Sequence, residues 1–204
     1  MLLNHTSGIY DVAGDLNYNL AVVNDFSYSW SSEEILEFIA NKPATHLPGE
    51  EIKYSNSNTM IEALIIEAVT GQKHGELLTE RILSPLQMGS TVYYDYSDFF
   101  PFDILAQGYL DFNNDGGSIQ NISTLNPGSG NGYTGVYSTV TDLYRFMKAL
   151  MVDKTLITDE NLTKIFDSFR LAPGGAWMSS VGGIHNEFRL VLPAEKPAYG
   201  HGGG

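Results

Sequence analysis

The chain has 204 residues, 43% of them hydrophobic, and a formal charge of −13 from 24 acidic and 11 basic side chains. That length supports one domain, or two packed lobes, with a real core; the charge repels phosphate backbones and argues against nucleic acid as a partner. The absence of cysteine removes thiol catalysis, thiolate metal sites and disulfides. No apolar run reaches the roughly 18 residues that a membrane-spanning helix needs.

Residues 1–30 read as irregular, with turn signatures at His5-Thr6-Ser7-Gly8 and Gly14-Asp15. Ser31 or Ser32 then caps a helix running to about Asn41, with Glu33 and Glu34 facing the positive end of its dipole. A Pro48-Gly49 turn leads to Tyr54-Ser55-Asn56, and Met60, Ile61, Leu64, Ile65 and Ala68 recur at helical spacing up to Gly71. Ser57 is the expected cap, which leaves Tyr54 and Asn56 just outside the helix, at its mouth. A second helix is expected over His74–Leu83, ending before Pro85.

Residues 92–135 read as a long structured loop with a short strand at Gln107–Phe112. Within it, Asp111–Gly116 is like the first half of an EF-hand loop, but Ile122 stands where that loop needs a glutamate, so it reads as a turn. Asn126–Gly135 is a second glycine-rich loop. Ser138–Asp142 opens a helix with Leu143, Phe146, Met147, Leu150 and Met151 as its apolar face, and Thr158-Asp159-Glu160 opens another that buries Leu162, Ile165, Phe166 and Phe169. From Pro173 onward Gly-Gly turns bracket extended segments, with a strand at Phe188–Leu192, and the chain closes on Tyr199-Gly200-His201-Gly202-Gly203-Gly204. This divides the chain into a mainly helical lobe with long loops, 1–172, and the remnant of a sheet, 173–204, that ends at the His-Gly-Gly motif.

Three side chains stand out chemically: Tyr54, Asn56 and His201. A tyrosine serves as a base only where positive charge or hydrogen bonds hold its phenolate, since its reference pKa is about 10. A histidine followed by glycines permits close approach of a substrate. His5, His46, His74 and His185 show no metal-ligand spacing, so neither a metal nor a cofactor is expected.

These features converge on a resemblance. Leu2–Gly8, Pro48-Gly49 with Tyr54-Ser55-Asn56, Glu67–Gly71, Ile82–Thr91, Ala106–Tyr109, Gly135–Thr139, Asp142–Phe146 and Gly200–Gly203 occur in the order and spacing of one family. The sequence resembles the serine beta-lactamase and penicillin-binding-protein superfamily, in its class C-like branch of D-alanyl-D-alanine carboxypeptidases, D-aminopeptidases and esterases. The resemblance implies a partial α/β fold, beta-lactamase/transpeptidase-like, made of the helical lobe and an incomplete antiparallel sheet. It also implies acyl transfer through a serine ester. Tyr54 would be the base or proton relay, with His201 beside it. Asn56, Gly202 and Gly203 would bind substrate.

One departure matters. The superfamily's nucleophile lies in Ser-x-x-Lys, and no serine here has a lysine three positions later. Ser7 and Ser55 occupy positions that are structural in the family, so neither is expected to replace it. The chain thus reads as a segment of a serine hydrolase acting on beta-lactam, D-alanyl peptide or ester bonds, inactive alone; the alternative is a non-catalytic helical binding or scaffolding unit derived from that fold. The resemblance further implies a small-molecule or peptidoglycan-type substrate and export of the full-length protein. A sheet with open edges suggests a homo-oligomer or strand exchange.

Overall fold

Asp15 starts the first helix. Its carboxylate accepts from the backbone N–H groups of Asn17 and Tyr18, both at 3.0 Å, and pairs with Lys42 at 2.5 Å. That helix, α1 (Leu16–Asn24), follows a 3-10 turn at Val12–Gly14. Both fall where the sequence reads as irregular, and the cause is physical: Tyr18 and Val22 are buried while Leu16, Leu20 and Val23 face solvent, so apolar residues ring the helix and blur its stripe. The structure, a computed structural model, describes residues 1–94, 105–111, 114, 116–124, 126, 130–171, 177–179, 184–186 and 198–202. The predicted strand at 188–192 and part of the EF-hand-like run lie outside them.

The helix α2 (Ser32–Ile39) carries a reciprocal capping box: Ser31 Oγ accepts from the Glu34 N–H, and Glu34 accepts from the Ser31 N–H. Next comes α3 (Asn56–Thr70), stopped by Gly71 at φ 71°, a left-handed conformation that glycine adopts without a Cβ penalty. Ser57 does not cap it. Ser55 holds the N-cap position, while the buried Ser57 hydroxyl donates to the Tyr10 carbonyl at 2.8 Å and accepts from the Val12 N–H at 3.0 Å. The predicted helix over 74–83 exists as α4 (His74–Leu78) followed by a π turn at Thr79–Leu83.

Thr139 and Thr158 cap α5 (Val140–Met151) and α6 (Asp159–Asp167). Leu143, expected on the buried face of α5, is half exposed because Asp142 takes the inward position. There its carboxylate accepts from the Ser90 N–H at 2.8 Å, the Thr91 hydroxyl at 3.0 Å and the Arg145 guanidinium at 2.7 Å.

Strands β1 (Val92–Tyr93), β2 (Tyr109–Asp111), β3 (Ile119–Asn121) and β4 (Val136–Tyr137) form two antiparallel ladders, β1 with β4 and β2 with β3. A four-stranded antiparallel sheet follows, ordered β5 (Phe169–Leu171), β6 (Trp177–Ser179), β7 (His185–Asn186) and β8 (Tyr199–Gly200). Phe169 therefore belongs to a strand rather than to the helix before it. The result is a mixed α/β fold: a helical lobe and a small sheet that does not close.

The core of the helical lobe is Val12, Tyr18, Val22, Ile35, Ile39 and Met60, with Trp30, Phe38 and Tyr133 packed against it. It ties the 3-10 turn, α1, α2 and α3 into one unit, and the N-terminus of α3 emerges at its margin. No helix among the described residues is long and apolar enough to cross a membrane.

Candidate active site

The segment before α3 is held against the start of the chain by backbone hydrogen bonds, Gly49 N–H to Thr6 O at 2.7 Å and Lys53 N–H to His5 O at 2.8 Å. Tyr54 therefore emerges beside His5, with ring centroids 4.5 Å apart. On its other flank the Tyr54 ring approaches His201, centroid to centroid 5.7 Å and tilted by 51°. His201 directly follows β8, and that strand is anchored by Tyr199, which stacks on Phe166 of α6 at 4.5 Å. The His201 Nδ1–H donates to the Gly202 carbonyl. Gly203 lies outside the described residues.

Asn56 opens α3 rather than standing before it, and its side chain has a fixed orientation. Its Oδ1 accepts the Tyr54 hydroxyl at 3.1 Å, while Nδ2 donates to both carboxylate oxygens of Asp11, at 3.2 and 3.3 Å. Asp11 also accepts the Asn56 backbone N–H at 3.0 Å and the Ala13 N–H at 3.2 Å. It thus caps α3 and sets the amide flip of Asn56 with the same group. Burial, and then the Asp11 carboxylate, push the Tyr54 phenol above its ordinary pKa. The surroundings given by these residues keep Tyr54 a protonated hydroxyl that donates to Asn56.

Asp11 and His5 are contributors that sequence reasoning missed. His5 is 2% exposed, at φ 53°, and its Nδ1 faces two donors, Asn58 Nδ2 at 3.0 Å and the Ser55 N–H at 3.4 Å. Those donors make Nδ1 the acceptor and leave the ring proton on Nε2. Asn58, fully buried, accepts the Ser7 hydroxyl at 2.6 Å, so Ser7 is spent on the network that fixes the His5 ring beside Tyr54. Ser55 is buried as well, its hydroxyl directed at the Tyr10 carbonyl at 3.4 Å. The advance signals for His5 were its place in the turn at residues 5–8 and in the Leu2–Gly8 stretch that carries the resemblance; Asp11 had none, because its role arises from a contact 45 residues away. Among the described residues no cluster of histidine and carboxylate side chains has metal-binding geometry.

Helices on one side and a small antiparallel sheet open at its edge define a class, the beta-lactamase/transpeptidase-like architecture. The Beta-lactamase family model matches residues 1–204, and the chain belongs to that family. It is similar to a putative D-alanyl-D-alanine carboxypeptidase of Escherichia coli (strain K12), 27% identical over 165 residues, a match spanning 74% of this chain and 37% of that protein. Among solved structures it is similar in fold to a D-stereospecific amidohydrolase from Streptomyces sp., with a TM-score of 0.85 and 24% identity over 100% of this chain and 59% of that one. It is also similar to the D-amino acid amidase of Ochrobactrum anthropi SV3 complexed with D-phenylalanine, with a TM-score of 0.77 and 25% identity over 98% and 56% of the two chains. The chain spans less than two thirds of the length of each of these relatives.

Proposed function

We propose that these residues form the tyrosine-asparagine wall and the histidine-glycine strand of a serine hydrolase that opens amide or ester bonds, of the beta-lactam, D-alanyl peptide or ester kind, through an acyl-enzyme. The observation that carries this reading is the approach of the Tyr54 and His201 rings to 5.7 Å from widely separated parts of the chain. The nucleophile is a serine outside residues 1–204. As its oxygen bonds to the substrate carbonyl carbon, the serine proton passes to Tyr54 while the phenol hands its own proton on to the departing amine or alcohol, so that Tyr54 stays neutral as a relay. Water then repeats the sequence on the acyl ester and releases the acid. Asn56 orients the substrate amide, and His201 with Gly202 and Gly203 faces its carboxylate end.

Asp11 narrows the substrate. Its carboxylate has no ion pair among the described residues, and its Oδ2 takes only the 3.3 Å contact from Asn56. A substrate ammonium fits that vacancy in charge, which favours D-aminoacyl amides and esters with a free amine. Export of the full-length protein, a peptidoglycan-type substrate, and self-association through the outer edge of β8 belong to the same reading.

Hydrolysis of D-alanyl p-nitroanilide by a longer polypeptide containing these residues is the test. Tyr54→Phe is expected to lower kcat by about 10²–10⁴-fold, the range for a positioned acid–base group. N-acetylation of the substrate amine should raise KM. Undiminished turnover by Tyr54→Phe would overturn the assignment, and a wild type with neither turnover nor an acyl adduct would favour the non-catalytic binding or scaffolding reading.

A further inference from the structure

On a different part of α3, four groups from four segments form a directed hydrogen-bond chain. Glu67 lies near the end of α3, His74 begins α4, Tyr93 lies on β1, and Gly132 belongs to the glycine-rich loop before β4. The Gly132 N–H donates to the Tyr93 hydroxyl oxygen at 2.8 Å, and that hydroxyl lies 2.7 Å from His74 Nε2. His74 Nδ1 lies 2.7 Å from Glu67 Oε1, which also accepts the His74 backbone N–H at 3.2 Å. Since a carboxylate only accepts, Nδ1 carries a proton; in the neutral imidazole Nε2 is then the acceptor, and Tyr93 donates to it. Each group thereby dictates the polarity of the next.

Two close approaches lock the chain sterically. A Cβ at Gly132, where φ is 87°, would stand 2.6 Å from the Ala63 Cβ and 2.8 Å from the Thr59 carbonyl oxygen. A Cβ at Gly75 would stand 2.6 Å from the Tyr93 ring. The loop thus lies directly on α3, with the Tyr93 ring laid over the start of α4. The loop residues beside Gly132 are tied to α2 and to the core of the helical lobe. Asn131 accepts the Ser32 hydroxyl at 2.7 Å and donates to the Trp30 carbonyl at 2.6 Å. Tyr133 shares a 2.6 Å hydrogen bond with Tyr18, which sits in the core beside the 3-10 turn that Asp11 caps. Thr59, one of the atoms under Gly132, donates its hydroxyl to the Asn56 carbonyl at 2.9 Å.

We infer that Glu67, His74 and Tyr93 are a positioning relay: they hold the Gly132 N–H, and through it the Asn131–Tyr133 wall, in register with the Asp11–Asn56 end of α3. The functional half of this inference rests on the hydrolase reading above; the mechanical half does not. Among the described residues no hydrogen bond or ring contact joins Glu67, His74 or Tyr93 to Tyr54, Asn56 or His201, so the relay is assigned to the placement of the loop rather than to proton transfer. Loss of the relay therefore loosens substrate binding more than it slows the chemical step.

Amide hydrogen exchange of residues 130–135, measured on the chain of 204 residues, tests the mechanical half. Tyr93→Phe keeps the ring over Gly75 but removes the acceptor for Gly132, and His74→Leu removes both ring nitrogens. Each should speed exchange at Gly132 by about fivefold or more, as expected for one lost hydrogen bond. His74→Gln can donate to Glu67 and accept from Tyr93 through its amide, so exchange should return close to the wild-type rate. Unchanged exchange in Tyr93→Phe, or equal acceleration in the Leu and Gln variants, would overturn the relay. In the longer hydrolase, Tyr93→Phe should raise KM with kcat nearly unchanged; a fall in kcat at constant KM would overturn the positioning role. The exchange arm needs no turnover, so it decides the relay even where the hydrolase reading fails.

Discussion

A phenol acts as a base only where its anion is held, and the residues around Tyr54 favour its neutral form. Burial and then the Asp11 carboxylate raise its pKa, and its hydroxyl donates to the Asn56 carbonyl oxygen, an acceptor that rewards the protonated form. A folded-state pKa raised above the ordinary 10.0 contributes stability below that pH and loses it as pH rises through the folded value. The tyrosinate absorbance of this chain, minus that of Tyr54→Phe, should therefore rise above pH 10.0, and a component ionising below 10.0 would contradict the account. Tyr54, Asn56 and His201 were singled out in the sequence because each sits in a short local signature, and the structure places the three near one another. His5 and Asp11 were not, since a ring packed on a ring and a carboxylate capping a distant helix leave no periodic trace.

At the scale of elements, the starts of α2, α5 and α6 were readable from their caps, whereas the cap expected at Ser57 of α3 was not borne out. Ser31 with Glu34, and Thr139 with the Asp142 N–H, announce their helices three residues at a time. Asp15 does the same for α1, but with apolar residues on most sides of that helix the cap went unread. Hydrogen bonds, first from Lys42 and then from the Tyr18 N–H, outweigh its burial and hold the Asp15 carboxyl below the usual 3.8. A depressed carboxyl stabilises above its unfolded value, and that contribution disappears as pH falls through the folded value. Asp15→Asn keeps an N-cap oxygen for α1 but removes the charge that faces Lys42, and should accordingly lower stability at pH 7. The cost should shrink as the buffer is taken below 3.8. Urea midpoints at the two pH values measure this, and an equal loss at both would mean that the charge on Asp15 does not matter. The strands were harder to read for a simpler reason: with two or three residues each, they are too short to display alternation.

For the whole molecule, order and spacing of short signatures along the chain carried more information than any local pattern. They pointed to the family, and the helical lobe with an unclosed sheet follows from it. What they left open is how residues near the two ends meet. The structure answers that through packing: Tyr199 against Phe166 sets β8, and β8 delivers His201 to Tyr54. Among the described residues β8 is the last strand of that sheet, and its far edge is the surface for strand exchange proposed above.

The central claim is that Tyr54 and His201 serve a serine that residues 1–204 do not contain. Intact-mass analysis after incubation with an activated D-alanyl ester tests it most directly, on this chain and on a longer polypeptide that includes a Ser-x-x-Lys segment. The account predicts a single acyl adduct on the Ser-x-x-Lys serine of the longer protein, strongly reduced by Tyr54→Phe, and none on the chain alone. An adduct on any serine within residues 1–204, or acylation of the longer protein that Tyr54→Phe leaves unchanged, would contradict it.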